Sequence, residues 1–243
     1  MTHGKDRFGR IKAHFEKEAA VFDELFFKIM PRYEEMMRAL VESLPFPRND
    51  RFKIIDLGCG TGNLSRKILA AHPKASLTCI DLAEKMLAMA RAKIGKSRQV
   101  SFRQGDIRDF DYSSKYDAIV SSMALHHVER KEKPHFYRKL HNALRRGGIF
   151  YAIDIFVSSS SHLQRLFLKQ WKAYMKQQGL PAEKINEMMR RHRREDRAVC
   201  LADELGIMRR AGFVDVEVVL KHHNFALYGA RIGKAGTGRK IAK

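Results

Sequence analysis

Cysteine is scarce in this chain: there are three in 243 residues, Cys59, Cys79 and Cys200. Their odd number and wide spacing fit neither a disulfide framework nor a zinc site, and a reducing, cytoplasmic setting is expected. No apolar run approaches the roughly 20 residues of a membrane span, so no membrane partner is expected. Residues 1–10 are polar and basic with no apolar stretch behind them, which does not read as a secretory signal. There is no internal repeat. Acid is under-represented, with 27 Asp and Glu against 47 Lys and Arg, a formal net charge of +20. Such a charge attracts polyanions by counterion release and long-range steering, or is simply a basic solvated surface. RNA therefore stays open as a partner.

Hydrophobic residues make up 44% of the chain, enough for a large core in one domain or in a domain with an insertion. The most informative stretch is Ile54-Ile55-Asp56-Leu57-Gly58-Cys59-Gly60-Thr61-Gly62-Asn63-Leu64. Ile54, Ile55 and Leu57 suit a strand buried on both faces. Glycines at alternate positions then allow a tight turn and a close ligand approach, and helix-compatible sequence follows. A dinucleotide site would have G-x-G-x-x-G, with the pyrophosphate on the helix N-terminus. Here the spacing is G-x-G-x-G, and Asp56 sits just ahead of it. A carboxylate there opposes a pyrophosphate and favours a cationic amino acid, so S-adenosylmethionine is the better ligand. The plain alternative is a glycine-rich connection with no ligand, and the context decides between them.

Residues 8–44 read as helices broken at Pro31, with their aromatic residues read as core. From Phe52 onward strands alternate with helices. The second strand ends at Asp81, about 20 residues past the glycine turn, where a nucleotide-binding βαβ unit places its ribose-binding acid. Asp81 also suits a helix N-cap, and both can hold. Asp106 ends the third strand, where it could accept from an adenine amino group while Ile107 packs on the ring; a simple turn aspartate is the other reading. The fourth strand, Tyr116 onward, runs into Ser122 and then His126-His127. Ligands of open α/β sheets bind outside the carboxyl ends of strands at the topological switch point, so residues 122–127 should line the crevice. His126 and His127 are the candidate catalytic bases; packing or solvation is their alternative. A helix over 133–144 is expected to stop at Gly147-Gly148, with the fifth strand over 149–155. A helical insertion is expected at about 158–205, and residues 214–220 and 224–230 read as an antiparallel pair.

Asp56 to Gly62, Asp81, Gly105-Asp106-Ile107, Tyr116-Asp117 through Val128, and Leu144 to Gly148 together resemble the class I S-adenosylmethionine-dependent methyltransferases over residues 50–232. The resemblance implies an α/β, Rossmann-like doubly wound sheet of seven strands with the last antiparallel. N-terminal helices (1–48) would cover the site, the methyltransferase domain would span 49–232 with its insertion after strand five, and 233–243 would be a basic disordered tail. Phe22-Asp23, Pro31-Arg32-Tyr33, the Trp171/Tyr174 segment and Ala211-Gly212-Phe213 with Asn224-Phe225 are most similar to the carboxy-S-adenosylmethionine synthases of tRNA wobble-uridine modification and related small methyltransferases. That branch implies cofactor contact by Tyr33, a methionine cradle at Gly58, Cys59 and Gly60, the ribose at Asp81 and Leu82, and the adenine at Asp106 and Ile107; Asp56, from its place before the turn, is expected on the methionine ammonium. Met86, on the helix after Asp81, is counted with them. Two departures stand out. Ser122 replaces an asparagine, and the carboxylate-binding arginine falls where Arg191 is the nearest candidate, with Arg190, Arg193 and Arg194 competing. The expected activity is methyl transfer from S-adenosylmethionine to a small-molecule acceptor. The alternative is a tRNA-modification enzyme, either such a synthase or an RNA methyltransferase. No metal is expected, and a homodimer is left open.

Overall fold

The computed structural model describes residues 3–18 and 22–233; the expected basic tail lies outside the described residues apart from Gly233. Three helices come first: α1 (His3–Glu18), α2 (Phe22–Ile29) and α3 (Tyr33–Glu42). Alternation then begins with β1 (Lys53–Leu57), α4 (Asn63–Ala71), β2 (Ser76–Asp81), α5 (Glu84–Ile94), β3 (Val100–Gln104) and β4 (Tyr116–Ser122). A single 3-10 turn, Leu125–His127, leads to α6 (Lys133–Ala143) and β5 (Leu144–Ile155). The chain closes with α7 (Ser161–Gln177), α8 (Ala182–Glu195), α9 (Leu201–Arg210), β6 (Val214–His222) and β7 (Phe225–Arg231).

The seven strands form one sheet in the order β3-β2-β1-β4-β5-β7-β6. β1 through β5 run parallel, and β7 pairs antiparallel with both β5 and β6. β1 lies between β2 and β4, so its side chains are buried whichever face they take. Ile54 enters the core under α3 and α4, while Ile55 and Leu57 enter the core under α6 and α9. Each is fully buried, a contribution of about 1.5–3 kcal/mol per side chain. The strand order reverses between β1 and β4, and their carboxyl ends open the crevice there.

Two expectations are corrected. Gly147 and Gly148 do not stop a helix: α6 ends at Ala143, and both glycines lie inside β5. Gly147 takes a positive φ of 75°, and the β4–β5 ladder shifts register between Tyr116 and Ala118. The glycines serve an irregularity in the strand, pinned by Arg145 on Asp117 at 2.8 Å. Second, α9 begins at Leu201, within the span read as insertion, and packs on α6 and β6 as a sheet-covering helix. The extra helices are α7 and α8. Trp171 Nε1–H on α7 donates to the Ile29 carbonyl at the end of α2 (2.7 Å), so α7 closes over the N-terminal helices.

Candidate functional site

The glycine turn leaves β1 with Gly58, Gly60 and Gly62 all at positive φ, a region that favours glycine. A Cβ on Gly58 would stand 2.3 Å from the Cβ of Ala124, on the loop after β4. The absent side chain is thus what lets the β1 and β4 loops meet. The amides of Gly58 and Cys59 both donate to the Ile80 carbonyl at 2.9 Å, and the Gly60 amide donates to Asp81 Oδ2 at 2.8 Å. From α2, Asp23 accepts from Asn63 Nδ2 (2.9 Å), the Thr61 hydroxyl and the Lys93 ammonium, which clamps α2 against the turn.

Asp81 uses its other oxygen to accept from the Ala83 amide at 2.9 Å, at the start of α5. It therefore holds the helix start and lines the crevice as well. Burial pushes its carboxyl up to about 6, against the opposing pull of the Ala83 and Gly60 amides. Leu82, Met86, Gly105, Asp106 and Ile107 line the same cavity. Asp106 is engaged by its neighbour: Arg108 reaches it with Nε at 3.0 Å and Nη2 at 2.6 Å. The Arg108 guanidinium in turn lies over the Phe8 ring, 3.4 Å from its centroid.

The structure brings thirteen of the fourteen residues singled out in the sequence to one cavity: Tyr33, Gly58, Cys59, Gly60, Asp81, Leu82, Met86, Asp106, Ile107, Ser122, His126, His127 and Arg191. Asp56 is the exception. It is fully buried beneath the floor, where Oδ2 accepts from Ser65 Oγ on α4 at 2.6 Å. Direct contact with a ligand ammonium is therefore corrected to a position behind the turn. Its Oδ1 has no partner, and burial pushes the carboxyl up to about 7.

The N-terminal aromatics, read as core from the sequence, also line the cavity. Phe22 and Phe26 stack at 5.0 Å, Phe26 meets the Tyr33 ring at 4.9 Å, and Phe15 packs edge-on to His127. The Tyr33 and Ser122 hydroxyls share a hydrogen bond of 2.9 Å. Trp171 contributes its ring, set edge-on to His192.

The opposite wall is polar. His126 Nδ1 lies 2.5 Å from Asp154 Oδ1 at the end of β5. Its Nε2 lies 3.6 Å from Asp196 Oδ1, and His127 Nδ1 lies 3.9 Å from that same oxygen. His192 Nδ1 lies 2.6 Å from Asp196 Oδ2. Burial works against a charge on His126, but Asp154 and Asp196 outweigh it and raise its pKa. Burial and the neighbouring His126 hold His127 well below its usual range. Arg191 contacts the His14 imidazole and lies 3.6 Å from Glu18. Burial opposes ionisation of Glu18, yet His14, Arg191 and Lys184 bring its carboxyl down to about 2.

Sequence reasoning missed Asp154, His192 and Asp196. Asp154 carried a readable signal, an acid near the carboxyl end of a strand, as with Asp81. Asp196 and His192 carried none, because they reach the site only through the course of α8.

Residues 54–148 match the family model described as a methyltransferase domain. A carboxy-S-adenosyl-L-methionine synthase of Wolinella succinogenes is 31% identical over 231 residues, covering 90% of this chain and 93% of that protein. The chain belongs to the class I S-adenosylmethionine-dependent methyltransferases, in the carboxy-S-adenosyl-L-methionine synthase-like branch. A synthase of the same description from Nautilia profundicola is 26% identical, covering 88% of this chain and 91% of that protein. Among solved structures, the DhpI-SAM-HEP complex shares the fold with a TM-score of 0.66 at 19% identity, covering 95% of this chain and 99% of that one. As a class I methyltransferase the protein is a transferase enzyme whose cofactor is S-adenosylmethionine. The cavity fits that group: a glycine-rich turn that allows close approach, the Asp81 carboxylate in its lining, and an aromatic wall over it. No helix among the described residues is long and apolar enough to cross a membrane.

Proposed function

We propose that the protein transfers the methyl group of S-adenosylmethionine to a small-molecule acceptor held at the polar wall of the cavity. The supporting observation is that one cavity joins Asp81 and the glycine turn to His126, His127, Asp196 and Trp171. In this reading Asp81 accepts from the ribose hydroxyls, with Leu82 and Met86 beside it. Asp106 and Ile107 meet the adenine, Gly58, Cys59 and Gly60 pass under the methionine part, and Tyr33 with Ser122 closes over it. Bound there, S-adenosylmethionine supplies an activated methyl group. The chain's own work is to orient the acceptor, exclude water with the Phe22, Phe26 and Trp171 rings, and draw off the acceptor's proton at the His126–His127–Asp196 wall.

A second reading is synthesis of carboxy-S-adenosylmethionine, as the relative from Wolinella succinogenes is named. A carboxylate next to the sulfonium needs a cation, and Arg191 is the cavity-lining guanidinium. Glu18 already balances part of its charge, which favours the first reading. An RNA acceptor draws support from the charge of +20, and the free cysteines suit a reducing compartment. RNA affinity should then fall steeply with salt in filter binding; sedimentation checks the homodimer.

The test is mass spectrometry of the small molecule that co-purifies with the protein. S-adenosylmethionine or its demethylated product supports methyl transfer. The carboxylated form supports the second reading, and a ligand without a nucleoside overturns both.

A further inference from the structure

We infer that the polar wall is a binding site for one divalent first-row transition cation, held by His126 Nε2, His127 Nδ1 and Asp196 Oδ1. These three atoms lie within 4.8 Å of one another, and their residues line the cavity.

The hydrogen bonds around the wall leave these atoms as lone-pair donors. Asp154 Oδ1, 2.5 Å from His126 Nδ1, takes that ring's N–H, so in the neutral ring that a cation requires Nε2 carries the lone pair. Asp196 Oδ2 is occupied by His192 at 2.6 Å, which leaves Oδ1. His127 Nδ1 is buried and has no hydrogen-bond partner. Three electron-rich atoms thus converge, with separations of 3.6 Å and 3.9 Å to the shared carboxylate oxygen. Ligands about 2.1 Å from an ion at tetrahedral angles lie about 3.4 Å apart, so the two distances to the carboxylate oxygen need only a small contraction. A proton explains less. Shared between His126 and Asp196, it would draw those atoms to about 2.7–3.0 Å, and it would leave His127 Nδ1 unsatisfied.

Two features of the surroundings match metal sites. Asp154 behind His126 makes a carboxylate–histidine–metal arrangement, and His192 steadies the ligating carboxylate. The nearby cations are already balanced: Lys133 by Glu204 at 2.9 Å, Arg7 by Glu129 at 3.8 Å, and Arg191 by Glu18. Two imidazoles and one carboxylate suit zinc or another first-row divalent ion and leave a coordination position open. Because all three residues line the cavity, an acceptor oxygen bound there would take that position and be acidified. This use of the cation rests on the methyltransferase reading; its binding does not.

The experiment is Co2+ titration of the full chain, free of a histidine tag and stripped with chelator, followed by visible absorption. One Co2+ per chain is expected, with the absorption of a low-symmetry nitrogen–oxygen site. It should persist in the control His222→Gln/His223→Gln, which removes the adjacent pair at the β6–β7 turn. It should be lost in Asp196→Asn and in His127→Gln, and Asp154→Asn should bind roughly 10–100-fold more weakly. Thermal melts select the variants that are folded. Absence of binding, or binding unchanged in folded Asp196→Asn or His127→Gln, overturns the inference. S-adenosylmethionine titrated into the metal-free chain tests the cofactor reading separately.

Discussion

The Tyr33 hydroxyl on α3 and the Ser122 hydroxyl at the end of β4, 89 residues apart in the chain, meet at 2.9 Å over the cavity. That bond ties the N-terminal helices to the strand end beside the glycine turn. Tyr33 is only 7% exposed, and burial pushes its hydroxyl pKa above the ordinary range, so it stays a neutral hydrogen-bonding group. Tyr33→Phe keeps the ring contact with Phe26 and loses the bond. The expected cost is about 0.5–1.5 kcal/mol in chemical denaturation. A matching loss of S-adenosylmethionine affinity is expected in titration calorimetry; unchanged affinity would remove Tyr33 from the binding role.

Gly58 must remain without a side chain. Gly58→Ala places a methyl group 2.3 Å from the Ala124 Cβ on a backbone at φ 69°. Overpacking and left-handed strain together predict a loss of about 2–5 kcal/mol. The double variant Gly58→Ala/Ala124→Gly should recover the packing part and not the strain. Equal stability of the single and double variants would show that the two loops do not meet as described.

Asp81 predicts a pH dependence of cofactor affinity. Its carboxyl sits up at about 6 because it is buried. Ribose hydroxyls donate more strongly to the ionised form, whose two oxygens both accept, so binding below that pH is expected to release a proton. Affinity should rise as pH goes from about 5 to 7, by at most about tenfold per pH unit, and then level. Calorimetry in buffers of different ionisation enthalpy should detect the released proton at pH 5.5. The Asp81→Asn protein should bind weakly with a flat profile.

Asp56 makes a stability prediction of the opposite sign. Its carboxyl is raised from 3.8 to about 7 by burial. Below pH 4 native and unfolded chains both hold the proton, and the group costs nothing. As pH rises toward 7 the unfolded chain releases it first, and stability falls by about 1.4 kcal/mol per unit at most. Asp56→Asn has no such proton. Its stability relative to wild type should climb from pH 4 to 7 and then level in urea unfolding; a constant difference would mean that the carboxyl titrates normally.

These residues also show what the sequence made legible. The strand–turn–helix at Gly58, the acid at Asp81 and the antiparallel end of the sheet all follow from local patterns, of spacing two or of fixed offset, that survive folding. Asp56 misled because an acid beside a glycine turn has the same signature whether it faces the ligand or Ser65. Gly147-Gly148 misled because glycine serves a strand irregularity as well as a helix stop. The polar wall was legible only in its two histidines, which were expected at the crevice. Its histidines lie on the loop after β4, while Asp154 comes from β5 and Asp196 from the end of α8, and only the sheet order and the path of the extra helices bring them together.

The central claim is that this cavity binds S-adenosylmethionine with Asp81 on its ribose. Titration calorimetry of S-adenosylmethionine into the wild-type and Asp81→Ala proteins at pH 7.5 tests it most directly. One site per chain is expected in the wild type and a site at least roughly tenfold weaker in the variant, since hydrogen bonds to a charged group contribute about 1.5–3 kcal/mol. No binding by the wild type, or equal affinity in a folded Asp81→Ala protein, would contradict it.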